Sequence, residues 1–338
     1  MNLTRRSVLR NGAGALALGS LAGCLSSPEE GADGADGDDT GYAAFFAIWD
    51  WTTHVGGDRF AFENPVGVGQ SGHGWSPGGN LATEIASTDA FVYLDMPEFA
   101  WAQDIANQIE ADYDDVAVID ALDAVPAAQL LDPTDARGHD HDEDGNDGEG
   151  DHAGEGFDPH VWTDPVLVGE MVDGIADGLA AADPDGADVY AANADDYRER
   201  IDDLDAAFRR LVDDAARDVA VFAGHDSFRY LERRYGFELH SPVGVSPDES
   251  PSPTEIADTI DLVDGEGIDT ILYDPFAAPG DEIPQIAASI IESSDATDAV
   301  PISPAEGTTA EWNETGWGWL DQMRELNLPS LRTALDAE

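Results

Sequence analysis

The amino-acid sequence predicts an α/β fold: two lobes, each with a mainly parallel sheet flanked by helices, with one long helix between them. Two observations predict it. Strand-like and helix-like segments alternate in both halves of the 338-residue chain, the rhythm that produces parallel sheets with helical crossovers. Between the halves, apolar residues recur at Tyr190, Ala194, Tyr197, Ile201, Leu204, Phe208, Leu211 and Ala215. Their spacings of four and three place them on one face of a helix.

Taken in chain order, residues 1–23 read as an export signal. Arg5-Arg6-Ser7-Val8-Leu9-Arg10, a small and apolar run over 11–21 and then Leu21-Ala22-Gly23-Cys24 resemble a twin-arginine signal ending in a lipoprotein box. The apolar run is too short to span a bilayer. The expectation is a chain exported folded and held by lipid on Cys24 at the outer face of the cytoplasmic membrane. Residues 24–40, rich in Ser, Gly, Asp and Glu without apolar periodicity, read as a flexible tether.

The first lobe is expected over 41–185. Strands are expected at 42–48, 60–68, 90–94 and 116–119. Helices are expected up to His54 and over 80–87, 98–110 and 165–182. An acidic tract at 132–157 interrupts this lobe. It is almost free of apolar residues and cannot offset the entropy of ordering, so a mobile loop is expected there. The long helix follows at 186–217. In the second lobe, 218–338, strands are expected at 219–223, 238–243, 270–273 and 300–302, with helices at 227–235, 253–266, 282–292 and 316–335. Crevices at the carboxyl ends of such strands are where these sheets usually hold ligands.

Composition narrows the function. With 71 acidic and 15 basic residues the net charge is −56, and every basic residue is arginine. Nucleic acid is excluded as a partner on electrostatic grounds, and a chain without lysine has no Walker-type phosphate loop. Such a charge suits molar salt, where the Debye length falls to about 3 Å and self-repulsion is screened, and so points to a salt-loving source. The lone Cys24 excludes a disulfide framework and a thiolate zinc site.

Three histidines fall at strand-to-helix junctions: His73 in Ser71-Gly72-His73-Gly74, His160 in Asp158-Pro159-His160-Val161-Trp162, and His225 in Gly224-His225-Asp226-Ser227-Phe228. Neutral imidazole is the commonest metal ligand, and nearby Asp158, Asp164 and Asp226 are candidates to orient the rings through their second nitrogens. In the acidic tract, His139, His141 and His152 lie among carboxylates; a weak secondary metal-binding role is expected, with plain solvation as the alternative. His54 and His240 read as structural.

At these residues the chain resembles the zinc and manganese substrate-binding proteins of ABC transporters. Asp158-Pro159-His160-Val161-Trp162 with Asp164-Pro165, then Gly224-His225-Asp226-Ser227-Phe228 with Tyr235-Gly236, Gly244-Val245-Ser246-Pro247 and Pro251-Ser252-Pro253 carry the resemblance. Ser71-Gly72 stand before His73, where the family usually has an acidic residue and Pro.

The resemblance implies two four-stranded parallel sheets, one long joining helix and a metal held in the cleft between lobes. His73, His160 and His225 would be ligands. The fourth ligand stays open among Asp274, Glu311, Glu314 and water. Imidazole at the third position favours Zn²⁺ over Mn²⁺. The implied protein is a monomeric receptor, not an enzyme, which captures zinc and delivers it to a membrane permease with its ATPase subunit. A manganese or chelated-metal receptor, or an exported zinc hydrolase, is the alternative; no H-E-x-x-H segment occurs.

Overall fold

The computed structural model describes residues 39–72, 74–132, 156–246, 249–278, 280 and 282–337. Cys24, His73, His139, His141 and His152 lie outside the described residues.

Two four-stranded sheets form the frame. In the first, β1 (Asp39–Ala43), β2 (Phe60–Glu63), β3 (Ala90–Tyr93) and β4 (Ala117–Asp120) are ordered β2-β1-β3-β4, every pair parallel. In the second, β5 (Val219–Phe222), β6 (Glu238–His240), β7 (Thr270–Tyr273) and β8 (Asp298–Pro301) repeat that pattern as β6-β5-β7-β8. Strands covered on both faces read as short apolar runs. Accordingly Ala90, Phe91 and Val92 of β3 and Thr270, Ile271 and Leu272 of β7 are all buried.

Helices α1 (Phe46–Gly56), α2 (Leu81–Ile85), α3 (Ala100–Asp112) and α4 (Pro165–Ala182) accompany the first sheet. Helix α5 (Ala187–Asp214) follows, and its 28 residues extend roughly 42 Å at 1.5 Å per residue. Its buried residues are Tyr190, Ala194, Tyr197, Ile201, Leu204, Phe208 and Leu211, the expected stripe. Ala215, the last stripe position, lies beyond the helix and bridges Ala337 near the C-terminus. The second sheet carries α6 (Arg229–Tyr235), α7 (Pro253–Glu266) and α8 (Gln285–Ser293). After β8 come α9 (Ala310–Thr315), α10 (Trp319–Asp321), a π-helical turn over Gln322–Asn327 and α11 (Leu328–Ala334).

Several expectations are corrected. The apolar run at 42–48 is not one strand: it divides at Ala43, and α1 begins at Phe46. β1 starts at Asp39, inside the expected tether. β2 stops at Glu63 because Asn64 Oδ1 accepts the Val66 amide at 3.0 Å and Pro65 cannot extend the ladder. The terminal helix expected over 316–335 starts three residues later and runs from Trp319 to Ala334, with its turn over Gln322–Asn327 widened to a π-helix. It is preceded by the unexpected helix α9, capped by Gly316, whose φ of 72° is left-handed.

Candidate metal centre

Contrary to expectation, His160 does not sit directly after a strand: β4 ends at Asp120, and His160, in Asp158-Pro159-His160, instead caps the short turn Val161–Thr163 that leads into α4. It is fully buried. Its Nδ1 lies 2.9 Å from Asp158 Oδ1, and its backbone N–H donates to the same oxygen at 3.0 Å. With the carboxylate accepting at Nδ1, the Nε2 lone pair points away from Asp158 and is available to a cation. Burial alone would raise the Asp158 carboxyl. The hydrogen bonds and charge of His160 and the guanidinium of Arg229 outweigh it and hold the group below the usual carboxylate range.

His225 comes from the second lobe, just after β5. The turn that carries it is tied down on both sides. Ser241 Oγ donates to the Gly224 carbonyl at 2.5 Å, and the Asp226 N–H donates to the Gly244 carbonyl at 2.9 Å. His160 Nε2 and His225 Nε2 are 3.2 Å apart. Two nitrogens bound at about 2.0–2.1 Å to one tetrahedral ion stand about 3.3 Å from each other. The pair therefore already has the separation of one edge of a zinc tetrahedron.

Two buried carboxylates approach from the ends of second-lobe strands. Asp274 follows β7; burial pushes it up to about 7, against a hydrogen bond from the Phe276 amide. Glu306, in the segment after β8, is 2% exposed. Burial raises its carboxyl, opposed by the charge of His160 and a hydrogen bond from Ser71. Ser71, Glu98, His225, Asp274, Phe276 and Glu306 all line one cavity of about 1040 Å³. Among the described residues, no set of three or more His, Cys, Asp or Glu is assembled in a geometry that holds a metal.

The expected positions thus separate. His160 and His225 meet, and Asp158 backs His160. Asp164 does not face a histidine: as N-cap of α4 it accepts from the Val166 amide, and Arg234 binds both its oxygens at 2.9 and 2.8 Å. The Asp226 side chain is buried. Glu311 and Glu314 lie on exposed positions of α9, away from the cavity wall. The site carboxylate that sequence reasoning missed is Glu306. It stands just past a strand end, as Asp274 does, and an inventory of acidic residues at strand ends would have found it. His54 and His240 bond within the fold, to the Asp50 carbonyl at 2.7 Å and to Thr259 Oγ1 at 2.9 Å.

Against this geometry, the family profile described as zinc-uptake complex component A periplasmic (ZnuA) matches residues 42–334. The chain belongs to the ZnuA family. Among ZnuA-type relatives, the zinc-binding lipoprotein AdcA of Streptococcus pneumoniae is 28% identical over 304 residues, 90% of this chain and 57% of its own length. The chain thus spans little more than half of that relative. The high-affinity zinc uptake system protein ZnuA of Bacillus subtilis is 24% identical over 316 residues, 93% of each chain. The crystal structure of the Zn(II)-bound ZnuA-like domain of S. pneumoniae AdcA aligns with a TM-score of 0.69 at 26% identity, covering 88% of this chain and 98% of that one. The metal-dependent lipoprotein YcdH of B. subtilis, at 22% identity and a TM-score of 0.70, shares the fold. The paired parallel sheets and joining helix expected from the sequence are the ZnuA architecture.

Proposed function

We propose that this protein is an extracytoplasmic receptor that captures Zn²⁺ in the cleft between its sheets and delivers it to an ABC permease and ATPase. The single observation that carries the reading is the 3.2 Å approach of the His160 and His225 Nε2 atoms, with Asp158 behind His160. His73 supplies the third imidazole, a role that rests on the family resemblance as a whole, since Ser71-Gly72 depart from the usual motif before it. Glu306 supplies the carboxylate in preference to Asp274: the charge of His160 acts on Glu306, which accepts a side-chain hydroxyl from Ser71, whereas an Asp274 oxygen is tied to the backbone amide of Phe276. Imidazole-rich coordination favours zinc over manganese. The receptor is not an enzyme. It acts as a monomer held to the outer membrane face through Cys24, as the Arg5-Arg6 and Leu21-Ala22-Gly23-Cys24 motifs support. No helix among the described residues is long and apolar enough to cross a membrane.

Competition of a chelating dye for Zn²⁺ in molar salt tests this. His160→Ala with His225→Ala should abolish tight binding, and Glu306→Gln should weaken it by more than about 100-fold, beyond the range typical of outer partners. Mn²⁺ should compete poorly. Because the ligands must be deprotonated, affinity should fall as pH drops. Undiminished zinc affinity in the double histidine variant would refute the assignment.

A further inference from the structure

The segment that carries Glu306 is a buried loop. Residues 302–308, between β8 and α9, are all buried, and a buried loop must find partners for its backbone polar groups. At its ends the Ile302 N–H donates to the Tyr273 carbonyl and the Thr308 carbonyl accepts from the Gly69 N–H, and the Pro304 carbonyl accepts from Trp162 Nε1. The groups nearest Glu306 share one further source. Asn327 Oδ1 accepts the Ser303 amide at 2.8 Å, and Asn327 Nδ2 donates to the Ser303 carbonyl at 2.7 Å. Gln322 Oε1 accepts from Ser303 Oγ at 2.6 Å, and Gln322 Nε2 donates to the Gly307 carbonyl at 2.9 Å. Ser303 Oγ also accepts the Ala305 amide at 3.0 Å. Both amide side chains are completely buried. Ala305, directly before Glu306, is held at φ 59°, a left-handed conformation that a residue with a Cβ rarely adopts.

Gln322 and Asn327 are the first and last residues of the π-helical turn. On an α-helix at 3.6 residues per turn, positions five apart diverge by about 140°. A turn closed by i to i+5 hydrogen bonds stacks them instead. The widened turn is what lets two amides on one helix grip the loop on both sides of Glu306.

We propose that Gln322 and Asn327 are positioning residues for zinc capture, fixing Glu306 at the ion through the loop 303–307. This rests on the reading of Glu306 as a ligand. Glu306 follows a residue held in a left-handed conformation, and the hydrogen bonds on both sides of it keep that backbone in place, so its place at the ion depends on the clamp.

The test uses the full chain in molar salt. Zn²⁺ affinity is measured by dye competition, and coordination by the visible absorption of bound Co²⁺. Gln322→Met and Asn327→Leu should each weaken Zn²⁺ by about 10- to 100-fold, the range for outer partners of metal ligands. Their Co²⁺ spectra should move toward that of Glu306→Gln. Combined with Glu306→Gln, they should cost less than about twofold more, since residues acting through one group are not additive. Should either variant fail to fold, Ser303→Ala removes only the hydroxyl that joins Gln322 to the loop and should shift affinity and spectrum in the same direction. Full additivity with Glu306→Gln, or unchanged affinity and spectrum in variants that fold, would overturn the clamp. A silent Glu306→Gln would instead sink the ligand role of Glu306, and the clamp with it.

Discussion

The first sheet, ordered β2-β1-β3-β4, and the second, ordered β6-β5-β7-β8, share one topology but rest on different cores and bring different chemistry to the cleft. Both faces of the first sheet belong to one large apolar cluster with α1, α3, α4 and α5. The second sheet is divided. Ala220, Phe222 and Leu272 join the large cluster, while their strand neighbours Val221 and Ile271 point the other way, as the alternation of side chains along a strand requires. With Val263, Ala287 and Ile290 they make a small separate core under α7 and α8. The first lobe brings Ser71 and Glu98 to the cavity wall, with His160 buried behind it against His225. The second presents His225, Asp274 and Glu306. The lesson is that the second lobe's inner face is fused to the first, whereas its outer layer stands on a satellite core.

Trp319 is the residue whose loss should break this comparison most strongly. It is fully buried, stacks edge-on with Trp51 of α1 at 5.7 Å, donates from Nε1 to the Trp162 carbonyl, and its amide binds Asp50 Oδ2 at 3.0 Å. Gly318 before it admits the Asp50 carboxylate where a Cβ would collide. Trp319→Ala should cost about 3–5 kcal/mol in urea unfolding in molar salt. If the lobes share a core, protection of β3 and β7 amides from hydrogen exchange should fall together. Ile290→Ala, in the satellite core, should cost about 2–4 kcal/mol but should loosen α7 and α8 while leaving β3 protected. Equal loosening everywhere would erase the distinction between the two cores.

How far the sequence revealed these features differs by kind. Helices α4 and α7 were legible to the residue because each starts with Pro at its first position behind a side-chain cap, Asp164 or Ser252. The α5 stripe was legible because period carries burial. The division of 42–48 was not, since an unbroken apolar run has no period to separate a buried strand from a buried helix. His160 and His225 could be named as residues, but their meeting depends on long-range packing. Glu306 was missed because an acidic residue past a strand end is common in this sequence, and nothing local marks the loop after β8 as buried against Gln322 and Asn327.

Two smaller effects sharpen the comparison. Ser252 forms a capping box with Glu255, its Oγ accepting the Glu255 amide at 3.2 Å while Glu255 Oε2 accepts the Ser252 amide at 2.6 Å. Ser252→Ala should cost about 1 kcal/mol, read as a lower urea midpoint, with the extra exchange confined to the satellite layer.

The smallest effect concerns a carboxylate in the first lobe. Asp120 ends β4 as Asp274 follows β7, and both are raised by burial, Asp120 to about 6. A carboxyl whose folded value lies above its unfolded one holds its proton longer in the native state. Its contribution to stability is therefore most favourable below about pH 4, declines as pH rises toward 6, and is constant beyond. Asp120→Asn keeps an Oδ1 acceptor for the Asp95 and Leu122 amides, each at 3.0 Å, and removes the titration. The variant should match the wild type near pH 4 and exceed it in melting temperature above pH 6, by a margin that partial solvent exposure keeps small. Zn²⁺ should leave this margin unchanged, because Asp120 lies off the cleft, whereas the equivalent margin for Asp274→Asn should change on loading. A zinc-dependent margin at Asp120 would mean that the large core transmits the state of the cleft to the edge strand of the first sheet.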